Sequence, residues 1–264
     1  YPELSCHGQS LPVADQWGVH DDIYCAGKEE PFHFLEGVLE EVLELFPSPY
    51  IHIGGDEAPK ANWKRCPHCQ ERMNKEGLKT EEELQSWFIH RMAKFIEGKG
   101  RQIIGWDEAA QGGLPPNAIL QHWQYEDCLK EALKHDHSII WSHVEHCYFD
   151  FPYYRHPDGT TEPPDKPDWM RATSLEKVYQ LDPVPDQIPP ERRNQVIGGE
   201  AAMWLEYAPQ EKVDEQLWPR LCALSEVLWT PAHMRDLENF TGRMDFHDVR
   251  LDQLGVKYFQ PKGA

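Results

Sequence analysis

The clearest structural signal in this chain is the stretch Tyr50-Ile-His-Ile-Gly-Gly-Asp-Glu57. Its two isoleucines alternate with other residues, which is typical of a short β-strand, and Pro47 and Pro49 keep a helix from running into it. The paired glycines let the backbone turn sharply and let a ligand approach closely. Two adjacent carboxylates follow, so the strand ends either in a general acid beside a fixed anion or in a solvated acidic turn.

Four further strand patterns follow, and helical patterns separate them. The strands are predicted at residues 102–106, 118–123, 138–142 and 196–203. Helices are predicted at residues 31–46, 80–98, 126–135, 211–229 and 233–254, whereas residues 1–30 and 66–69 are predicted to be irregular. Residues 151–193 contain many prolines and predict a long loop insertion with at most a short helix near 174–180. Strands that alternate with helices predict parallel βαβ units.

Aromatic or acidic residues recur just after the predicted strand ends. They are Asp56, Glu57, Trp106, Trp123, Tyr148, Asp150, Trp204 and Glu206. One set of strand ends that converges on a ligand is typical of a (β/α)8 barrel, or TIM barrel, so we predict this α/β fold. An open doubly wound sheet is the alternative, but no glycine-rich nucleotide-binding motif supports a nucleotide-binding version of it.

The composition narrows the classes of function. With 264 residues, 40% of them hydrophobic, and ten tryptophans, the chain has enough apolar surface for a packed core. Its formal charge of −19 argues against nucleic acids and anionic membranes as partners. No apolar run reaches the roughly 18 residues of a membrane-spanning helix. Seven cysteines leave at least one outside any intramolecular disulfide and do not decide the compartment.

The residues after the strands suit a neutral carbohydrate, because aromatic rings stack on sugars and acids accept hydrogen bonds from hydroxyls. Glycoside cleavage needs one protonated acid beside the leaving oxygen and one anion near the sugar. Three acidic clusters compete for these roles: Asp56 with Glu57, Asp107 with Glu108, and Glu200 with Glu206. The spacing favours the first cluster, because both of its acids follow a paired-glycine turn.

The motif His52-Ile-Gly-Gly-Asp-Glu57 resembles the signature of the glycoside hydrolase family 20 β-N-acetylhexosaminidases. The likeness spans about residues 1–255 and continues, in the family's order, through Gly105-Trp-Asp-Glu108, His122-Trp123, Tyr148-Phe-Asp150 and Gly198-Gly-Glu-Ala-Ala-Met-Trp-Leu-Glu206. It implies an exo-acting enzyme that hydrolyses terminal non-reducing N-acetylglucosamine or N-acetylgalactosamine, with N-acetylhexosamine-containing glycans as partners. It also implies that Asp107, Glu108 and Glu200 are supporting residues.

The resemblance implies a substrate-assisted retaining mechanism that requires no metal or organic cofactor. Glu57 would donate a proton to the leaving oxygen and then activate water, while Asp56 would accept a hydrogen bond from the acetamido N–H. Tyr148 would donate a hydrogen bond to the acetamido oxygen. The remaining candidates, which would wall the acetamide pocket or bind outer hydroxyls, are Trp106, Trp123, Trp204, Asp150 and Glu206.

Five strands cannot close an eight-stranded barrel. The opening segment Tyr1-Pro-Glu-Leu4 resembles the segment just after the third strand of the family's barrel. We therefore expect residues 1–264 to supply about strands 4–8 of one catalytic domain, the first three strands being upstream or in another chain. We expect a secreted or periplasmic location, and the oligomeric state stays open.

Two other functions compete with the enzyme. A catalytically silent sugar-binding protein on the same fold is disfavoured because both Asp56 and Glu57 are retained, and a metal-dependent hydrolase is disfavoured because no His-Glu-x-x-His motif is present. The pair Cys66-x-x-Cys69 fits half a zinc site, a disulfide or a packed loop, and one such pair is a weak indication of zinc. His52 either supports Asp56 or is a satisfied strand histidine.

Overall fold

The computed structural model describes residues 1–185 and 188–260. The chain divides into two compact units, one formed by Tyr1–Ile139 and the other beginning at Ile140. Within the described residues, no helix combines the length and the apolar character needed to cross a membrane.

The first unit alternates helices with parallel strands. Its helices are α1 (Glu30–Leu45), α2 (Ala61–Arg65), α3 (Pro67–Glu76), α4 (Glu81–Gly98) and α5 (Glu126–Lys134). Its strands are β1 (Tyr50–His52), β2 (Gln102–Trp106) and β3 (Ile119–His122), and strand β4 (Ser138–Trp141) crosses into the second unit. Short 3-10 helices occupy Pro2–Leu4 and Asp107–Ala110.

Strands β1, β2 and β3 pair in parallel, so their carboxyl ends lie at one edge of the sheet. Ile51 lies opposite Ile103, and Gly105 lies opposite Leu120. The start of β4 is the next neighbour of β3. Apolar side chains from the strands and from α4 form the core behind them, including Ile51, Ile103, Ile89, Ala93 and Ile96. The α/β fold predicted from the sequence, part of a (β/α)8 barrel, is confirmed.

The helix starts follow the predicted signals. Pro31 lies in the first turn of α1, and Thr80 caps α4 by accepting a hydrogen bond from the Glu83 N–H at 3.2 Å. The last residues of α1 are less buried than its amphipathic pattern suggests. Leu45 is 74% exposed, and Phe46, just beyond the helix, is 59% exposed.

The predicted loop at residues 66–69 is wrong, because Cys66 joins two helices. Helix α2 ends at Arg65, and Pro67 is the first residue of α3, where its missing N–H costs no hydrogen bond. Gly77, in the left-handed conformation, ends α3. Helix α2 has only five residues and α3 is mostly polar, so neither produces a clear apolar period.

The second unit contains short elements joined by long connections. Its helices are α6 (Val144–Cys147), α7 (Leu175–Tyr179), α8 (Val213–Leu217), α9 (Arg220–Trp229) and α10 (Leu237–Leu254). Its strands are β5 (Tyr154–Arg155), β6 (Thr161–Glu162) and β7 (Val196–Gly199), and 3-10 helices occupy Pro190–Gln195, Gln210–Lys212 and Ala232–Met234. Strands β4 and β7 are neighbours, and beside them the Glu200 N–H donates to the Trp141 carbonyl at 3.0 Å.

Two predicted elements of this unit differ from the structure. The helix expected at residues 211–229 is divided into α8 and α9 because Pro219 has no N–H to continue it. The strand expected at residues 196–203 ends at Gly199, and Ala202 makes an isolated parallel bridge to Tyr148.

Two other predictions hold with changed detail. The proline-rich segment contains the expected short helix, α7, and also the antiparallel pair β5–β6; its residues 186 and 187 lie outside the described residues. Helix α10 begins at Leu237 rather than near 233, because Asp236 caps it by accepting a hydrogen bond from the Asn239 N–H at 3.0 Å.

Candidate active site

The acid pair lies on a tight turn directly after β1. Gly54 and Gly55 have φ angles of 71° and 102°, and Glu57 also has a positive φ, 47°. A Cβ built on Gly55 would lie 3.2 Å from the Ala109 Cβ, so close approach as well as backbone conformation favours glycine there. Asp56 and Glu57 are both exposed. The turn therefore presents two carboxylates to solvent from a constrained backbone.

Hydrogen bonds from neighbouring elements hold this turn. The Gly54 N–H donates to His52 Nδ1 at 3.0 Å, and the Gly54 carbonyl accepts from the Trp106 N–H at 3.0 Å. The Gly55 carbonyl accepts from Gln85 Nε2 at 2.6 Å. Strand β2 and helix α4 thus fix the direction in which the acid pair leaves β1.

Glu108 is a buried carboxyl group beside the acid pair. Its Oε1 accepts a hydrogen bond from the Glu57 N–H at 3.4 Å, and its Oε2 accepts from Trp123 Nε1 at 3.0 Å. Burial raises the pKa of Glu108, the Trp123 hydrogen bond opposes this shift, and the negative charge of Asp56 adds to it. Glu108 therefore links the turn to Trp123 and supports both.

Asp107 is fully buried and fixes the end of β3. Its Oδ1 lies 2.9 Å from His122 Nδ1. Its Oδ2 accepts hydrogen bonds from the N–H groups of Trp123, Gln124 and Tyr125 at 3.0, 2.8 and 2.7 Å. Because no part of Asp107 is accessible, this carboxylate positions Trp123 and does not contact a ligand.

His52 lies against the Trp106 ring, with 5.1 Å between the ring centroids. Partial removal from water lowers the pKa of His52, and the negative charge of Asp56 opposes that shift. The lowered pKa favours the neutral imidazole, whose Nδ1 accepts the Gly54 hydrogen bond. His52 therefore accepts the Gly54 hydrogen bond of the turn, and its support of Asp56 stays a prediction.

In the second unit, the structure brings together two motifs that are distant in the sequence. The Phe149 N–H donates to the Ala202 carbonyl at 2.7 Å, and the Ala202 N–H donates to the Cys147 carbonyl at 2.8 Å. The Tyr148 and Trp204 rings lie 6.2 Å apart between centroids. Tyr148 is buried, whereas Trp204 is 41% exposed and offers an aromatic face.

Asp150 is a buried carboxyl group with unused hydrogen-bonding capacity. It is 3% exposed, and its Oδ1 has no hydrogen-bond partner among the described residues. Burial raises its pKa to about 6; the charge of Lys166 opposes the shift, and the charge of the exposed Glu206 adds to it. A buried carboxyl oxygen without a partner is suited to accept a hydrogen bond from a ligand hydroxyl.

Sequence reasoning missed the groups that hold this segment. Arg220 is fully buried and donates to the carbonyls of Phe151 and Thr173, each at 2.9 Å, and also to that of Phe149. Gln216 Nε2 donates to the Phe149 and Asp150 carbonyls at 3.0 and 2.9 Å. The one indication of this role in the sequence is that Arg220 interrupts the apolar pattern of a predicted helix.

No metal-binding group surrounds the acid pair in the part of the chain that the structure describes. The sequence does contain a His-x-His triplet, but His135 Nε2 binds Glu131 and His137 Nδ1 binds the Ala118 carbonyl. The close group of potential metal ligands is formed instead by four cysteines.

Parallel strands that end in an acid pair and aromatic side chains are typical of glycoside hydrolases on a TIM-barrel fold. Residues 1–232 match the model of glycosyl hydrolase family 20, catalytic domain. The chain belongs to this family, and the resemblance stated from its motifs is confirmed.

Similar proteins agree with this assignment. The chain is 41% identical over 263 residues to a beta-hexosaminidase of Porphyromonas gingivalis, covering 99% of this chain and 33% of that protein. A solved β-N-acetylhexosaminidase from Bacteroides fragilis is 31% identical with a TM-score of 0.83, covering 98% of this chain and 51% of that chain.

A further solved structure is the family 20 exo β-N-acetylglucosaminidase of Vibrio harveyi in complex with N-acetylglucosamine. It is 28% identical with a TM-score of 0.80, covering 92% of this chain and 38% of that chain. The chain thus spans between about a third and a half of the length of these three relatives.

Proposed function

We propose that the protein containing this chain is an exo-acting β-N-acetylhexosaminidase that removes terminal non-reducing N-acetylglucosamine or N-acetylgalactosamine from glycans. The observation that carries this proposal is the Asp56-Glu57 pair, presented on the constrained turn after β1 in a chain that matches the family over residues 1–232. The similarity to a Vibrio harveyi enzyme solved with N-acetylglucosamine supports the class of sugar.

Glu57 is the proposed general acid and base. It donates a proton to the leaving oxygen in the first step and removes a proton from water in the second. Its exposed side chain is open to a substrate, and the hydrogen bond from its N–H to Glu108 fixes the backbone beneath it. Burial raises the pKa of the neighbouring Glu108, which makes a negative charge beside Glu57 less favourable.

Asp56 is the proposed partner of the substrate's acetamido N–H. The acetamido oxygen attacks the anomeric carbon, the bond to the leaving oxygen breaks, and an oxazolinium intermediate forms. The negative charge of Asp56 stabilises the positive charge that develops on this group. Tyr148 donates a hydrogen bond to the acetamido oxygen and aims it at the anomeric carbon.

The remaining candidates bind and orient the sugar. The proposed walls of the acetamide pocket are Trp106, Trp123 and Trp204, of which Trp123 is held through its ring N–H by Glu108. Asp150 and Glu206 are the proposed acceptors for outer hydroxyls, and the unpartnered Oδ1 of Asp150 supports this role. We also propose a secreted or periplasmic location, which fractionation of the native cells tests.

The test compares chromogenic glycosides with and without a 2-acetamido group, using the full-length protein. We expect turnover of the N-acetylhexosaminides, very slow cleavage of plain glucosides, and strong inhibition by a thiazoline analogue of the cyclic intermediate. Asp56→Asn removes the charge with little change of shape and should impair turnover. Comparable turnover of glucoside and N-acetylglucosaminide, or a glycosyl–protein adduct with a 2-fluoro sugar, would contradict the substrate-assisted mechanism.

A further inference from the structure

Four cysteines from two distant parts of the sequence meet in the first unit. The sulfur atoms of Cys6, Cys25, Cys66 and Cys69 all lie within 4.8 Å of one another. The Cys25 sulfur is 3.6 Å from that of Cys69 and 3.7 Å from that of Cys66, and the Cys6 and Cys69 sulfurs are 3.8 Å apart. The sequence pattern indicated the Cys66–Cys69 pair, whereas Cys6 and Cys25 are separated by 18 residues and form no such motif.

These distances match a metal site and not disulfides. Four sulfurs bonded to zinc at about 2.3 Å in a tetrahedron lie about 3.8 Å from one another. The sulfurs of a disulfide lie about 2.05 Å apart, and all four cysteines are unbridged in the structure. The group therefore has the size of a four-thiolate zinc site.

The backbone delivers the four sulfurs in two pairs. Ser5 bridges Tyr24 in antiparallel fashion, and the Cys25 N–H donates to the Leu4 carbonyl at 2.9 Å, which brings Cys6 beside Cys25. The other pair is set by the junction of α2 and α3, where Cys66 caps α3 and Cys69 lies in its first turn. Backbone pairing thus positions the first pair, and the turn between two helices positions the second.

Gly27 lets the two pairs come together. A Cβ at Gly27 would lie 2.1 Å from the His68 carbonyl carbon and 2.3 Å from the Cys69 nitrogen, so the two backbones are in direct contact there. A hydrogen bond also joins the two segments: Trp63 Nε1 on α2 donates to the Tyr24 carbonyl at 2.9 Å. The sulfurs consequently meet at a packed junction and not at a flexible surface.

The four sulfurs lie in largely apolar surroundings. Cys25, Cys66 and Cys69 are buried in an apolar cluster with Trp63 and Met73. Four thiolates at these distances would repel one another without a cation between them.

We propose that Cys6, Cys25, Cys66 and Cys69 bind one Zn²⁺ ion in a closed tetrahedral site. Four protein ligands leave no open coordination position, so the site is structural and not catalytic. It ties the first 27 residues to helices α2 and α3, which follow the acid pair in the chain. This inference does not depend on the proposed glycosidase activity, and a zinc site of this kind is compatible with a reaction that uses no metal.

The test measures metal content of the full-length protein by plasma mass spectrometry after purification without added metal or chelator. We expect about one zinc per chain. When a mercurial reagent titrates the thiols, the amount of zinc released should rise in proportion to the amount of thiol that has reacted. Cys69→Ser should lose most of this zinc. Cys222→Ser is the matched control, because Cys222 is a half-buried cysteine outside the group and its replacement should leave the zinc content unchanged.

A second measurement uses the wild-type protein, so that it stands even if Cys69→Ser does not fold. Replacement of the zinc by Co²⁺ should give the intense sulfur-to-cobalt charge-transfer and visible bands of a tetrahedral thiolate site. Iron in place of zinc, cobalt bands of an octahedral site, or metal-free protein would each overturn the proposal. So would a denatured mass lower by four hydrogens, which indicates two disulfides.

Discussion

Glu57 combines a left-handed backbone with an exposed carboxyl group and a backbone hydrogen bond to Glu108. A non-glycine residue in this conformation costs about 1 kcal/mol, so the turn holds its geometry because surrounding contacts determine it. Those contacts come from residues of β2, of α4 and of the helical turn after β2. The side chain of Glu57 can therefore be changed without altering what holds its backbone.

Glu57→Gln should preserve the turn and remove the proton donor. We expect a loss of about 10²–10⁴-fold in kcat/KM on substrates with poor leaving groups, the usual scale of general acid catalysis. Activated phenolic glycosides should lose less in the first step, because their leaving group needs little protonation. Glu71→Gln, at an exposed position on α3, is the control. Near-zero losses on both substrates would remove Glu57 from this role.

Asp150→Asn tests the buried carboxyl group of the second unit. Folding raises the pKa of Asp150 from 3.8 to about 6. The folded protein therefore binds the Asp150 proton more tightly than the unfolded chain does. As the pH rises from about 4 to about 6, this proton is lost and the folded state loses stability. Asn does not ionise, so the variant avoids this loss. At pH 7 the free energy of unfolding of the variant should exceed that of the wild type by about 2–3 kcal/mol.

Chemical denaturation of both proteins at pH 7 and pH 4 measures this difference. At pH 4 the folded wild type carries a protonated Asp150, so the two proteins should be about equally stable. A difference of the same size at both pH values would show that titration of Asp150 is not its cause. Substrate binding should still be weaker in the variant, because the anionic acceptor is lost.

At the scale of elements, helix α9 holds the segment from Phe149 to Phe151 through one side chain. Arg220 lies at the start of α9 and its planar guanidinium donates to several backbone carbonyls at once. A lysine ammonium keeps the charge but does not reproduce this fork of donors. The segment that carries Tyr148 and Asp150 is therefore held by Arg220, which lies about 70 residues later in the chain.

Arg220→Lys should lower the free energy of unfolding by about 2–4 kcal/mol, because it leaves buried carbonyls without donors. Arg243→Lys on α10 is the matched control, since Arg243 is 55% exposed and pairs with Glu226 near the surface. Thermal unfolding of both variants measures the difference. Equal, small shifts in Tm would contradict a structural role for Arg220.

At the scale of the whole molecule, we propose that the strands β1, β2, β3, β4 and β7 are strands 4–8 of a (β/α)8 barrel. Residues 1–264 would then form the larger part of one catalytic domain, with 151–193 as a loop insertion. Among the described residues, β1 is paired on one side, by β2. The end of α1 also exposes the apolar side chains of Leu45 and Phe46.

Residues 1–264 expressed alone should accordingly be inactive and poorly stable, because an open strand edge and apolar surface are exposed to water. The comparison is with the full-length protein, by hydrolysis of a chromogenic N-acetylglucosaminide and by chemical denaturation. Cooperative unfolding together with full activity of the isolated segment would contradict the assignment of strands 4–8.

Features that depend on local chain pattern could be predicted from the sequence alone. Alternating isoleucines predicted β1, Thr80 predicted the start of α4, and the order of the motifs predicted the family. Such signals lie within a few residues of the element they specify, because strand and helix periods are read along the chain. Even there, Pro219 divided a helix that the apolar pattern alone predicted as continuous.

Contacts between distant residues could not be predicted in this way and are seen only in the folded chain. Cys6 and Cys25 join Cys66 and Cys69 through a backbone contact at Gly27, and Arg220 reaches the carbonyls beside Asp150. Nothing local to these residues specifies their partners, because each contact depends on the path of all the chain between them. The physical reason is that hydrogen bonding and close packing act on distance in space, whereas a sequence pattern records only distance along the chain.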